Sequence, residues 1–235
     1  MPSPDPASTI RPGLARGLCV GTVVLVAGMF ATAVLDMPLH ERLAVEDGPV
    51  EYLTFGALLW AAGVLLGRWW RFRENQPTVW RATLLLGALA AVFGAGEEIS
   101  WGQRLFGWET TEAFGANRQG ETNVHNLEIA GLNLNRVVFT FGLGAALGLY
   151  FLVLPVLARR SRAVGAWLTR FGVPVGGYRT AAWFIGGAAA TALIPSLDRW
   201  EVLEVLVPVG ALVVLFERGV VGEGLGQSAP PTFRP

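Results

Sequence analysis

The sequence contains no lysine, one cysteine (Cys19) and two histidines (His40 and His125), and only 15% of its 235 residues are charged. One cysteine excludes an intramolecular disulfide framework and any site built from several thiolates. Soluble domains carry about 25% charged residues, so the shortage of charge argues against a soluble globular enzyme. The 18 basic residues, all arginine, are balanced by 18 acids, and a net charge of zero gives no reason to expect a nucleic-acid partner. A chain that is 52% hydrophobic is not disordered as a whole. No internal repeat and no glycine loop of nucleotide-binding type is present.

What the sequence does have is long apolar runs. A bilayer core about 30 Å thick is crossed by roughly 20 apolar helical residues. Six stretches meet or approach this: 18–35, 52–67, 82–96, 134–158, 180–194 and 202–216. They predict an all-α polytopic membrane bundle of six transmembrane helices. The first run contains Ala31-Thr32-Ala33, which resembles a signal-peptide cleavage site, but its length and proline-rich leader favour a retained helix. Residues 1–16 and 221–235, rich in Pro, Gly and Ser, read as disordered cytoplasmic tails around a membrane domain over 17–220.

Arginine placement sets the orientation. With six spans, 13 arginines and only four acids fall on one side, and five arginines with 14 acids on the other. The positive-inside rule makes the first side cytoplasmic, with both termini there. A lipid bilayer partner and an acidic extracytoplasmic face follow.

Several of those acids lie at membrane depth. At 1.5 Å per residue, Glu97 is about 24 Å along its helix from Arg81, Glu51 about 25 Å from Arg68, and Glu204 about 21 Å from Arg218. Glu98 and Glu201 are close by in sequence. A charge at the centre of a membrane helix costs roughly 2–3 kcal/mol on lenient scales, so such groups are paired, protonated or functional. The plainer alternative is a set of acids at helix ends facing water.

The segment between spans three and four, 97–128, mixes polar and aromatic residues over a length that is uncommon for a passive loop. Short interfacial helices are expected there. If Glu121, His125 and Glu128 share one helix, they fall at about 0°, 40° and −20° around its axis, on one narrow face. An imidazole with two carboxylates suits a divalent metal such as zinc, manganese or iron. Glu97 or Glu98 would then be a further ligand or a general base. Against this, a single histidine among acids is commonly a hydrogen-bonded structural residue. Glu97 and Arg104 lie seven residues apart and are candidates to pair, and Glu98 to bond an indole or a loop amide. Asn123 and Asn126 are candidate loop caps or binding residues. His40 is a second candidate ligand only if span one packs beside span four.

Three strings, Glu46-Asp-Gly-Pro-Val-Glu51, Gly96-Glu-Glu-Ile-Ser-Trp-Gly-Gln-Arg104 and Gln119-Gly-Glu-Thr-Asn-Val-His-Asn126, resemble motifs of a family of uncharacterised bacterial multi-pass membrane proteins. The resemblance runs from about span two to span four, with a weaker echo at Glu201 and Glu204; Thr111 stands where the pattern has proline. It implies the membrane architecture, a bacterial inner-membrane location and an outer polar site, and no particular reaction. Alkaline ceramidase-type hydrolases use several histidines around zinc, which this chain does not contain.

Three functional classes are therefore open. One is a scaffold or a subunit that binds an extracytoplasmic or membrane protein partner, or a ligand, through Glu51, Arg104, Asn123, Asn126, Glu201 and Glu204. Another is a metal-dependent lipid hydrolase using Glu97 or Glu98 with Glu121, His125 and Glu128. The third is a cation- or proton-coupled transporter.

Overall fold

The computed structural model describes residues 11–45, 48–115, 117, 120–124, 127–129, 132–133, 138 and 142–217. The fold is helical. In chain order the helices are α1 (Pro12–Leu35), α2 (Met37–Ala44), α3 (Pro49–Phe72), α4 (Thr78–Glu98), α5 (Gln103–Phe106), α6 (Gly144–Gly148), α7 (Leu154–Arg160), α8 (Arg162–Phe171), α9 (Tyr178–Ala192) and α10 (Arg199–Phe216). Single 3-10 turns occupy Ser100–Gly102 and Glu112–Phe114. A π-helical turn, Leu149–Val153, joins α6 to α7 just before Pro155, whose missing N–H disturbs the regular ladder. Two dipeptides, β1 (Glu128–Ile129) and β2 (Leu132–Asn133), pair antiparallel.

Three segments are long and apolar enough to cross a membrane: α1, Met37–Phe72 and α4. Large apolar side chains point outward from α1 and α4, among them Val20, Val24, Leu86 and Leu89. α9 has 15 residues. α10 has 18 but carries Arg199, Glu201 and Glu204 in its first two turns. The start of the fourth expected span, including Asn135 and Arg136, lies outside the described residues.

α10 is the central helix. From Val205 to Phe216 all but Val207 and Ala211 are buried, as befits a helix that is apolar on every side. Val202, Leu206 and Leu212 pack with Val26, Met29, Ala33, Val50 and Ala61 of α1 and α3 in one core.

Helix directions alternate, and hydrogen bonds fix which ends meet. The amide of Arg11 donates to the carbonyl of Phe216 at 2.7 Å, joining the start of α1 to the end of α10. This bond, with Pro12 at the first helical position, starts α1 inside the stretch expected to be a tail to residue 16. Arg68, near the end of α3, donates to the carbonyl of Leu215. The Glu217 carboxylate accepts from the amide of Gly177 at 2.9 Å and the hydroxyl of Thr180 at 2.5 Å, and so caps α9 from across the chain. The Arg159 guanidinium lies 4.3 Å over the ring of Tyr178. These contacts gather Arg11, Arg68, Arg159 and Arg179 at one end of the bundle. The ends of α1, α4 and α9 and the starts of α3 and α10 lie at the other.

Candidate functional site

The end opposite the arginines begins where α4 stops. Glu97 and Glu98 occupy the last turn of α4, where the helix dipole disfavours a carboxylate by about 0.3–1 kcal/mol. Other interactions must therefore hold them. Ser100, Trp101 and Gly102 follow with φ of 46°, 54° and 81°. Left-handed backbone costs a non-glycine residue roughly 1–2 kcal/mol, yet here two such residues precede a glycine. The turn folds Trp101 back onto α4. Its ring covers Gly96, where a Cβ would lie 2.8 Å from the indole, and packs edge-on to Phe93 at 5.7 Å. The indole N–H donates to Glu97 Oε1 at 2.8 Å, and the Val124 amide donates to Glu97 Oε2 at 2.6 Å. Both oxygens of this buried carboxylate are thus engaged. Glu97 thus takes an indole and a loop amide, the partner types expected of Glu98, which is half-buried with interactions of its own.

The same turn aims Ser100 inward. Its hydroxyl donates to Glu121 Oε2 at 3.0 Å, and the Asn123 side-chain amide donates to that oxygen at 2.6 Å and to Ser100 Oγ at 3.1 Å. Arg104 pairs with Glu121 Oε1. Asn117 donates to the carbonyl of Asn123 at 3.0 Å and to its Oδ1 at 2.8 Å, and accepts from the Glu121 amide at 3.2 Å. Gln103 bridges Thr110 at 2.8 Å and the Thr122 amide at 2.6 Å. Ser100, Asn117, Glu121 and Asn123 are all buried.

This network corrects the single-helix placement of Glu121, His125 and Glu128. Around Glu121 the chain is a turn, set by Gly120 at φ 70° and by the Asn117 side chain, which takes backbone groups that a helix would need. Glu128 is exposed in β1, paired with Asn133. His125 and Asn126 lie outside the described residues. Among the described residues, no three of His, Cys, Asp and Glu are grouped to hold a metal ion. His40 is fully buried, its Nδ1 3.0 Å from the Met29 carbonyl and 3.3 Å from Thr32 Oγ1, a setting that holds α2 against α1.

A second cluster is built by three helices. Glu204 of α10 lies within electrostatic range of Glu201 on its own helix, Glu98 of α4 and Glu51 of α3. Glu51, Glu98 and Glu201 are half-buried, and each also engages a further polar or charged interaction. Glu204 sits deep among the helices, yet its side chain remains accessible to solvent. Four residues on, Pro208 has no N–H to donate to the Glu204 carbonyl. One turn of α10 thus offers a carboxylate and a backbone carbonyl stripped of its usual helical donor.

Sequence reasoning passed over Ser100, Asn117 and Pro208. The available signal for Pro208 was a proline inside an apolar helical run, four residues after its deepest acid. For Ser100 and Asn117 no local signal exists, because their partners are 21 and six residues away.

No protein-family model matches the chain, and no curated protein or solved structure matches it either. What is established is its class: a helical protein with, among the described residues, three helices long and apolar enough to span a membrane.

Proposed function

We propose that the protein is a six-span integral membrane protein of a bacterial inner membrane whose carboxylate cleft is a binding site. On this reading it acts as a scaffold or as a partner- or ligand-binding subunit. Both termini lie on the cytoplasmic side. The arginines joined at one end of the bundle support that orientation, and the carboxylate end is then extracytoplasmic.

The observation that carries the proposal is that Glu51 of α3, Glu98 of α4 and Glu201 of α10 lie within electrostatic range of Glu204. Acids within electrostatic range of one another raise the negative potential around Glu204, and an organic cation lowers it. A cationic ligand, or a cationic group of a partner, is the chemistry this cleft accepts. The network around Glu121 has the separate task of fixing the 97–124 segment over the end of α4.

The test is calorimetric titration of the full chain in zwitterionic nanodiscs with spermidine as the probe. Saturable binding is expected, weakened about tenfold or more in Glu204→Gln, since one lost charge contact of about 1.4 kcal/mol is a factor of ten. Binding that is absent, or unchanged in the variant, would leave the cluster a packing feature. The depth of Glu204 favours a second reading, cation- or proton-coupled transport. Flux into liposomes that disappears in Glu204→Gln would select it over binding alone.

A further inference from the structure

At the arginine end, α8 is built unlike any other helix of the bundle. Ser161 caps it by accepting from the Val164 amide at 3.3 Å. Gly172 ends it at φ 66°, with the Val173 amide bonded back to the Leu168 carbonyl at 3.0 Å. Between these stops lie ten residues. At about 100° per residue, Arg162, Ala166 and Arg170 fall within about 80° of each other, and Ala163, Trp167 and Phe171 in the next 100° or so. Val164 and Leu168 complete the apolar arc.

The three sectors have three environments. Leu168 is fully buried, and Gly172 lies against the ring of Trp80, so one side of α8 is docked on the start of α4. Trp167 is 53% exposed although it belongs to the apolar arc, and it stacks on Phe171 at 4.4 Å. Arg162 and Arg170 are exposed, and no ion pair to either is present among the described residues. Arg160, exposed at the end of α7, adjoins them in sequence.

We infer that α8 lies along the headgroup layer of the arginine-rich leaflet and docks anionic phospholipid. A helix in solution would not leave a tryptophan of its apolar arc uncovered, and a helix within the acyl chains would not carry two unpaired arginines. At the headgroup boundary both are satisfied: Trp167 sits at the depth tryptophan prefers, and the guanidiniums meet phosphate. Arginine suits this task because its planar fork donates two parallel hydrogen bonds to a phosphate. The complementary occupant is therefore an anionic diacyl lipid, which supplies phosphate and an apolar tail together. A soluble phosphate or an acidic protein would leave Trp167 uncovered.

The test is native mass spectrometry of the detergent-purified full chain with phosphatidylglycerol and, separately, phosphatidylcholine. The chain is expected to prefer phosphatidylglycerol. Arg162→Gln and Arg170→Gln each lower that affinity about fivefold, the equivalent of about 1 kcal/mol per surface arginine. Arg73→Gln, at the same end but already beside Glu74 and Trp70, leaves it unchanged. In nanodiscs made with headgroup-proximal brominated lipid, the tryptophan signal lost in Trp167→Phe is a quenched component. Equal affinity for the two lipids, an equal effect of all three arginine changes, displacement of the lipid by glycerol phosphate alone, or an unquenched Trp167 component would each overturn the assignment.

Discussion

Replacing Glu121 by alanine tests the network beside α4 most sharply. Its Oε2 accepts from Ser100 and Asn123, both buried, and its Oε1 pairs with Arg104. In Glu121→Ala the Ser100 hydroxyl loses its acceptor, and the Asn123 side-chain amide loses its bond to Oε2 while keeping the one to Ser100 Oγ. Two buried donor hydrogens are left unpaired, at about 1–3 kcal/mol each. The Arg104 side chain is 46% exposed, so its pair with Glu121 adds little, in the range of about 0–1 kcal/mol. The sum is a loss of about 2–7 kcal/mol, or roughly 4–28 °C in Tm for a chain of this size. Glu121→Gln retains one acceptor oxygen and is expected to lose about half as much. Glu128→Ala, at an exposed position, stays within about 0.5 kcal/mol of the parent. The assay is thermal unfolding of the purified chain in mild detergent, followed by tryptophan emission. Equal shifts for Glu121→Ala and Glu128→Ala would refute the network as described and restore a common role for the two acids.

Gly96→Ala places a methyl against the Trp101 ring and is expected to cost about 1–3 kcal/mol, with a change in tryptophan emission as the indole leaves Glu97. Glu217→Gln removes the charge from the cap on α9; a loss of about 1 kcal/mol should appear as a lower Tm, with binding at the carboxylate cleft unchanged. Pro208→Ala restores a donor to the Glu204 carbonyl and is expected to raise thermal stability, read from the same unfolding assay.

Much of this molecule was legible as pattern, and the part that was not depends on chain reversal. The runs 18–35, 52–67 and 82–96 are helices because their apolar residues have no charge to break them. The string from Gly96 to Arg104 was visible as a unit, and the structure gives each of its polar members a partner. The direction of the chain after Ile99 was not legible. Two non-glycine residues in the left-handed region run against local preference, and only the contacts of Trp101 with Gly96 and Glu97 offset that cost. The helical face drawn through Glu121, His125 and Glu128 failed for a related reason. Spacings of four and three fit a helix, but Gly120 and Asn117 turn the chain there. The acids of α3, α4 and α10 were readable from depth alone, since a shared distance from the arginine end brings them to one level.

The central claim is that acids from separate helices face one another across a cleft. Cysteine pairs test it directly, because Cys19 is the only native thiol. In a Cys19→Ser background, Glu98→Cys with Glu204→Cys, and Glu51→Cys with Glu204→Cys, should both be bridged in native membranes by a short bifunctional methanethiosulfonate. Glu128→Cys with Glu204→Cys serves as the comparison pair. Bridging of both test pairs above that comparison is the result predicted. Folded protein in which neither test pair is bridged would contradict the cleft and the binding site built on it.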